Sequence, residues 1–179
     1  MSDAQEKIPV QIRPVVAADE TGVKELVTAA FDQDTEAGLV HRLRHCGAFV
    51  LELVATTTHG RILGHVGFSR VTPADVGPGQ SLAITCMAPV SVWPEFQRQG
   101  VGSALIEAGI SRLRDMGEDL ILVLGPPAYY PRFGFDAGLA RKVKAPYAGN
   151  AFMALALSED GTRNLPVEVG FATPFQEFE

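Results

Sequence analysis

The segment EFQRQGVGSALIEAG, residues 95–109, decides the fold, because a glycine-containing loop leads directly into an amphipathic helix. The apolar face of this helix is predicted to contain Val101, Ala104, Leu105, Ala108, Leu113 and Met116, and Gly117 ends it. Backbone N–H groups at a helix N-terminus lack helical partners and carry partial positive charge. Glycines such as Gly100 and Gly102 allow a ligand to approach the backbone closely. The segment therefore predicts a phosphate-binding loop.

Three kinds of phosphate loop compete for this segment. A Walker A loop requires a lysine followed by serine or threonine, and both are absent here. A dinucleotide fingerprint requires a third glycine where Leu105 stands. The remaining pattern, Q/R-x-x-G-x-G/A, is met by Gln97, Gly100 and Gly102. On its own this short pattern also fits a loop that merely caps a helix.

Hydrophobic periodicity predicts the elements around the loop. Helices are expected over residues 19–31 and 35–46, and a loop over 72–80. One helical turn, closed by Pro131 and Gly134, is expected near residues 126–135. Strands are expected at 10–14, 48–56, 61–71, 82–92 (interrupted at Pro89), 119–125 and 151–157. This order indicates one mixed-sheet α/β (α+β) domain over residues 1–179.

Composition narrows the class of protein. The 179 residues are 46% hydrophobic, which is enough for a full core, and the formal net charge of −6 argues against a nucleic-acid partner. Two cysteines, Cys46 and Cys86, are too few for a disulfide framework, and we expect both to be reduced and buried. The polar N-terminus does not look like a signal peptide, and no apolar run would span a bilayer. We therefore expect a cytoplasmic protein with no membrane partner.

Five motifs along the chain, one of which contains the loop, allow it to be compared with a known family. They are IRPVVAAD (12–19), RILGHVGFS (61–69), MAPVSVWPEFQRQGVGSALI (87–106), VLGPPAYYPRFGF (123–135) and AFMALAL (151–157). Together these motifs resemble the GNAT superfamily of acetyl-CoA-dependent N-acetyltransferases, and in particular its YhbS-like bacterial branch. The resemblance implies a central mixed sheet of about seven strands flanked by helices. It also implies acetyl-CoA as co-substrate, no metal, and a primary amine of a small molecule or protein as acceptor. A homodimer is left open.

The same resemblance assigns site residues. It implies that acetyl-CoA contacts the strand before the loop and the loop itself, at Val90, Ser91, Val92, Gln97, Arg98, Gln99, Gly100, Val101, Gly102 and Ser103. Tyr130 stands four residues before Gly134 and is implied to be the general acid for the departing thiolate, with Tyr129 mostly a packing residue. Direct amine attack in a ternary complex is expected. The alternative is a CoA-binding sensor or interaction module without turnover.

The general base has two candidates. The central strand offers no carboxylate at Val90, Ser91 or Val92, so Glu36 and His65 are the candidates for a base or acceptor contact. Cys86 lies within an apolar strand and is not expected to act as a nucleophile. His41 and His45 are four residues apart on a helix, but the sequence offers no third metal ligand.

Overall fold

The structure is a computed structural model that describes residues 7–74, 76–78 and 80–178, without the side chains of 177 and 178. The chain forms two compact units. One comprises Met1–Gly67 and Pro89–Gly109, and the other comprises Phe68–Ala88 and Ile110–Glu179. Strands β3 (Ile62–Ala74) and β4 (Ile84–Val92) and helix α3 (Val101–Asp115) run through both units. The organisation of the chain as a single domain stays a prediction.

The first unit contains the N-terminal half of the sheet. Its further elements are β1 (Gln11–Pro14), a 3₁₀ turn (Ala17–Asp19), α1 (Glu20–Phe31), α2 (Thr35–His45), β2 (Phe49–Thr56) and a 3₁₀ turn (Pro94–Phe96). The strand order is β1-β2-β3-β4. β1 pairs antiparallel with β2, and Gln11 lies opposite Thr56. The apolar faces of both helices cover β2 through a buried cluster of Val23, Val27, Ala37, Val40 and Val54.

The second unit contains the C-terminal half of the sheet. Its further elements are β5 (Leu120–Leu124), a 3₁₀ turn (Tyr130–Phe133), α4 (Ala137–Ala140), β6 (Val143–Lys144), β7 (Phe152–Ala156), α5 (Asp160–Arg163), β8 (Val167–Gly170) and a 3₁₀ turn (Thr173–Phe178). The order here is β3-β4-β5-β7. β5 pairs parallel with β4 and antiparallel with β7. β8 pairs with both β3 and β6.

The predicted elements are confirmed with small shifts at their ends, and the eight strands of the described chain exceed the expected seven by one. The expected mixed α/β class is therefore confirmed. The residues of β5 from Leu120 to Val123 are buried, as their continuous apolar run predicts for a strand covered on both faces. β4 continues through Pro89, so the predicted interruption does not end the strand.

Several expectations are wrong. Thr72–Ala74 do not belong to a loop but to β3, because they pair with Glu168–Gly170 of β8. Positions 75 and 79 of the predicted loop, like the polar N-terminal residues 1–6, lie outside the described residues. Met116 follows the end of α3 and is 53% exposed, so it is not part of the buried face. Pro131 does not close the turn near Tyr130. It occupies an early position within the turn, where its missing N–H costs nothing, and only Gly134, with φ of 100°, ends it.

Candidate active site

The loop between β4 and α3 has the geometry of a tight reversal. The side-chain amide of Gln97 donates a hydrogen bond to the carbonyl oxygen of Val92 at 3.2 Å, which ties the loop to the end of its strand. Arg98 and Gly100 have φ of 64° and 87°, in the left-handed region. Glycine adopts this region without strain, and a non-glycine residue there is uncommon. Two such residues within three positions turn the chain so that α3 can begin at Val101.

The start of α3 is fixed against β3. Gly64 faces it, and a side chain at Gly64 would come within 2.8 Å of Leu105, 2.9 Å of Val101 and 3.1 Å of the Ser91 carbonyl oxygen. Only glycine therefore permits this approach of strand and helix. The 15-residue helix presents its first-turn N–H groups and positive dipole end at the loop. The structure therefore places a helix N-terminus directly after the glycine-containing loop, and anion binding there stays a prediction.

The N-terminal segment adds a cation that the sequence pattern did not indicate. The backbone N–H of Ile8 donates to the carbonyl oxygen of Gln99 at 3.2 Å. The aliphatic stem of Lys7 packs over Gly100, with its Cγ 3.2 Å from the position of an added Cβ. Lys7 and Arg98 are both exposed. This pairing therefore brings Lys7, from a distant part of the sequence, to the rim of the loop.

His65 lies in the interior of the first unit, on β3, and it is completely buried. Its Nε2 is 2.9 Å from Oε1 of Glu52, on the neighbouring strand β2. The side chain of Glu52 is only 9% exposed. The sequence analysis missed Glu52, although a lone acid within the apolar strand FVLELVAT was a usable signal. A buried carboxylate requires partners, and His65 is one of the partners of Glu52.

Arg44 of α2 completes this buried network. Its guanidinium contacts Glu52 through Nη2 at 2.5 Å and through Nε at 3.2 Å. Burial favours the neutral acid, but the hydrogen bonds from His65 and Arg44 outweigh it and hold the pKa of Glu52 below its usual value. Beyond Arg44, Glu20 of α1 lies 4.0 Å from Nη1 and also 3.4 Å from His45. The carboxylate next to His65 is therefore ionised and held in place.

Glu36, the other base candidate, has different surroundings. It stands in the first turn of α2, where both of its carboxylate oxygens accept hydrogen bonds from Gln33. The rings of His41 and His45 lie 4.3 Å apart on the exposed face of α2. Within the described chain, no cluster of three or more His, Cys, Asp or Glu side chains could hold a metal ion.

Tyr130 lies in the second unit at the first position of its 3₁₀ turn. The residue is 9% exposed, and its ring makes edge contacts with Tyr129 at 5.1 Å and Phe135 at 5.9 Å. A Cβ added at Gly125 would lie 2.5 Å from the ring, so Gly125 makes room for it. Burial, with smaller contributions from Tyr129 and Cys86, raises the pKa of Tyr130 to about 12. The phenol therefore keeps its proton at neutral pH.

The two cysteines differ from each other. Cys86 is buried, as expected, and burial raises the pKa of its thiol to about 12, which keeps it protonated and a poor nucleophile. Cys46 is exposed because it follows the last turn of α2, so its predicted burial is wrong.

None of the helices in the described part of the chain is both long and apolar enough to cross a membrane.

Comparisons with known proteins place the chain in a family. Residues 11–138 match the family described as "Acetyltransferase (GNAT) domain". The chain is 34% identical to the Escherichia coli K12 protein named "Uncharacterized N-acetyltransferase YhbS" over 169 residues, covering 93% of this chain and 99% of that protein. It is also similar to a crystal structure of the Escherichia coli YhbS protein in complex with CoA, with a TM-score of 0.85 and 33% identity over 96% of this chain and 94% of that one.

A second solved structure is also similar to this chain. The chain is 31% identical to a GNAT family acetyltransferase from Brucella melitensis in complex with acetyl-CoA, with a TM-score of 0.74 over 93% of this chain and 98% of that one. The similarity extends beyond the loop to almost the whole chain. The resemblance inferred from the motifs is therefore confirmed, and the chain belongs to the GNAT family of acetyltransferases, with the fold of that family.

Proposed function

We propose that this protein is an acetyl-CoA-dependent N-acetyltransferase that moves the acetyl group to a primary amine of a small molecule or protein. The observation that carries the proposal is the loop from Gln97 to Ser103, whose left-handed turns lead into the N-terminus of α3. Two relatives with about a third of their residues in common with this chain were crystallised with CoA or acetyl-CoA. Acetyl-CoA is accordingly the proposed co-substrate.

The loop is proposed to bind the pyrophosphate. Backbone N–H groups between Arg98 and Ser103 would donate to its oxygens, helped by the dipole of α3. Lys7 at the rim of the loop supplies a cation for the same phosphates. Gln97 is already bonded to Val92, so its proposed role is to shape the loop. The backbone of Val90, Ser91 and Val92 is proposed to pair with the pantetheine arm.

The proposed reaction is direct attack of the neutral amine on the thioester carbon in a ternary complex. The new C–N bond forms, the C–S bond breaks, the amine loses a proton to a base, and the thiolate accepts a proton or a hydrogen bond. A covalent acyl-cysteine is not favoured at Cys86, because a buried thiol with a pKa of about 12 is rarely ionised. Tyr130, protonated at neutral pH, is proposed as the donor to the sulfur.

His65 is the better supported of the two base candidates. A base that becomes cationic is stabilised by a fixed carboxylate, and Glu52 provides one 2.9 Å from Nε2. Glu36 is bonded only to Gln33 among the contacts shown above, and it remains the alternative base or acceptor contact. We also propose, as the sequence predicts, a cytoplasmic protein with no nucleic-acid or membrane partner.

Binding calorimetry with CoA and acetyl-CoA tests the cofactor assignment. Gly102→Glu places a carboxylate in the loop, where it occupies the space of the phosphate and repels it, so binding should be lost. Ser111→Glu is the matched control. Ser111 is exposed on the same helix, and the substitution adds the same charge away from the loop. Unchanged affinity in Gly102→Glu, or no binding by the wild type, would contradict the proposal. Binding without turnover on any amine would favour the CoA-binding module.

A further inference from the structure

The buried polar atoms of the first unit that have no hydrogen-bond partner among the described residues include Nδ1 of His65 and Oγ of Ser91. His65 is completely buried and Ser91 is 2% exposed. An unsatisfied polar atom in the interior costs about 1–3 kcal/mol, so native proteins rarely retain one without a purpose. Ser69 and Thr85 in the second unit also have unpartnered hydroxyls, and what distinguishes His65 and Ser91 is that strand pairing brings the two residues together.

The pairing of β3 with β4 brings these residues together. The backbone N–H of Trp93 donates to the carbonyl oxygen of Leu63 at 3.1 Å, and Gly64 lies close to the carbonyl oxygen of Ser91. The two contacts show that the strands run antiparallel here. If the register set by Trp93 and Leu63 is continued two residues forward along β3 and two residues back along β4, His65 comes to lie opposite Ser91. Residues directly opposite in an antiparallel pair have side chains on the same face of the sheet, with Cβ atoms about 4.5–5.5 Å apart.

The hydrogen-bonding capacities of the two atoms are complementary. Nε2 of His65 faces the ionised carboxylate of Glu52, which can only accept, so Nε2 carries the proton. In the neutral ring Nδ1 is then an acceptor. The hydroxyl of Ser91 is a donor as well as an acceptor, and a rotation about its Cα–Cβ bond can aim its proton at the imidazole.

We propose that Ser91 is a catalytic residue, and that Glu52, His65 and Ser91 form a proton relay that removes the proton from the attacking amine. As the C–N bond forms, the amine proton passes to Oγ of Ser91 while the Ser91 proton passes to Nδ1 of His65. The imidazolium that results is stabilised by the carboxylate of Glu52. The serine oxygen begins and ends as a neutral hydroxyl, and the proton leaves His65 after product release.

Both side chains are buried, and it is the backbone position of Ser91 that puts it nearer to the proposed site of reaction. His65 is fully enclosed, whereas the backbone of Ser91 belongs to the stretch proposed to pair with the pantetheine arm, next to the thioester. The inference therefore rests on the proposed function. The charged groups around His65 are Glu52 from β2, Arg44 from α2 behind Glu52, and Glu20 from α1 behind Arg44. Arg44 keeps Glu52 ionised, so the carboxylate is available to the imidazolium.

The relay is tested by steady-state thiol release from acetyl-CoA with an accepted amine. Ser91→Ala and His65→Gln should each lower kcat roughly 10²-fold, and the double variant should be no slower, because the residues act as one unit. The KM for acetyl-CoA should change less than about two-fold, since the backbone of Ser91 is retained. Ser69→Ala is the matched control, because Ser69 on β3 is also fully buried with an unpartnered Oγ. A kcat for Ser91→Ala equal to that of Ser69→Ala would overturn the relay.

Two further readouts test the other members of the relay. Glu52→Gln should lower kcat, because the imidazolium loses its carboxylate, and an unchanged kcat contradicts the role of Glu52. Nitrogen NMR of His65 in the wild-type protein should show the neutral ring with its proton on Nε2, and a proton on Nδ1 would contradict the relay. If the wild-type protein binds acetyl-CoA but releases no thiol, the proposed function itself is contradicted. If the wild-type protein releases thiol and Ser91→Ala does so at the same rate, only the relay is contradicted.

Discussion

Removing the hydroxyl of Tyr130 should slow the chemical step and leave the fold intact. The pKa of about 12 lies roughly 3.5 units above the reference of about 8.5 for a thiol, so complete proton transfer to the thiolate is uphill by about 5 kcal/mol. Tyr130 should therefore act mainly as a hydrogen-bond donor to the developing thiolate. A hydrogen bond to a charged group contributes about 1.5–3 kcal/mol, so Tyr130→Phe should lower kcat by about 10- to 150-fold.

The assay is thiol release in a single turnover, where chemistry limits the rate. Phenylalanine keeps the ring that fills the space beside Gly125 and contacts Tyr129 and Phe135, so CoA affinity and the melting temperature should stay close to wild type. Tyr129→Phe is the matched control, since its ring packs against Phe133 and under Arg132, and its rate should fall less than about three-fold. An unchanged single-turnover rate in Tyr130→Phe would refute the assignment.

Three other predictions concern ligand linkage, packing and pH. Free CoA at 100 times its Kd should stabilise the protein by about 2.7 kcal/mol, seen as a rise of roughly 5–11 °C in the melting temperature, and an unchanged melt would contradict cofactor binding. Gly125→Ala should displace the ring of Tyr130 and so lower kcat. It should also lower the free energy of unfolding by about 1–3 kcal/mol. Wild-type values for both quantities would contradict the packing argument. The hydrogen bond from Arg13 holds the pKa of Asp19 below its usual value. The ionised carboxylate therefore stabilises the folded protein fully at pH values above the pKa of about 3.9 in the unfolded chain, and this stabilisation is lost as the pH falls through the lower pKa of the folded protein. Asp19→Asn should therefore destabilise by about 1–2 kcal/mol in urea unfolding at pH 7 and by progressively less as the pH falls below about 3.9, and a difference that does not decrease over that range would contradict this sign.

The long elements could be predicted because their signals are local. Residues 20–31 and 35–45 repeat apolar positions with the helical period, and Leu120–Leu124 is a continuous apolar run. The glycines of residues 97–103 identified the loop and the start of α3. Loop and helix are parts of one stretch of chain, so a short window of sequence contains all the relevant information.

The missed elements depend on pairing between distant residues. Thr72–Ala74 are polar, Pro-containing and unremarkable as a strand until Glu168–Gly170 supply their hydrogen bonds. β6 has only two residues and exists through its parallel pairing with β8. Such short strands have no periodicity of their own to detect.

The missed site residues have the same explanation. Glu52 could have been noticed as the one charge in an apolar strand, but its partners His65 and Arg44 come from two other elements. Lys7 gave no signal, because it reaches the loop through a single backbone hydrogen bond of Ile8. Local sequence therefore predicted the backbone of the candidate site better than the buried charges that support it.

The most direct test of the central claim is thiol release from acetyl-CoA by the purified protein across a panel of primary amines, with the acetylated product identified by mass. We expect at least one amine to give stoichiometric thiol and N-acetyl product, with a rate lost in Gly102→Glu and reduced in Tyr130→Phe. Saturable acetyl-CoA binding without amine-dependent thiol release from any acceptor would contradict the claim that this chain is an N-acetyltransferase.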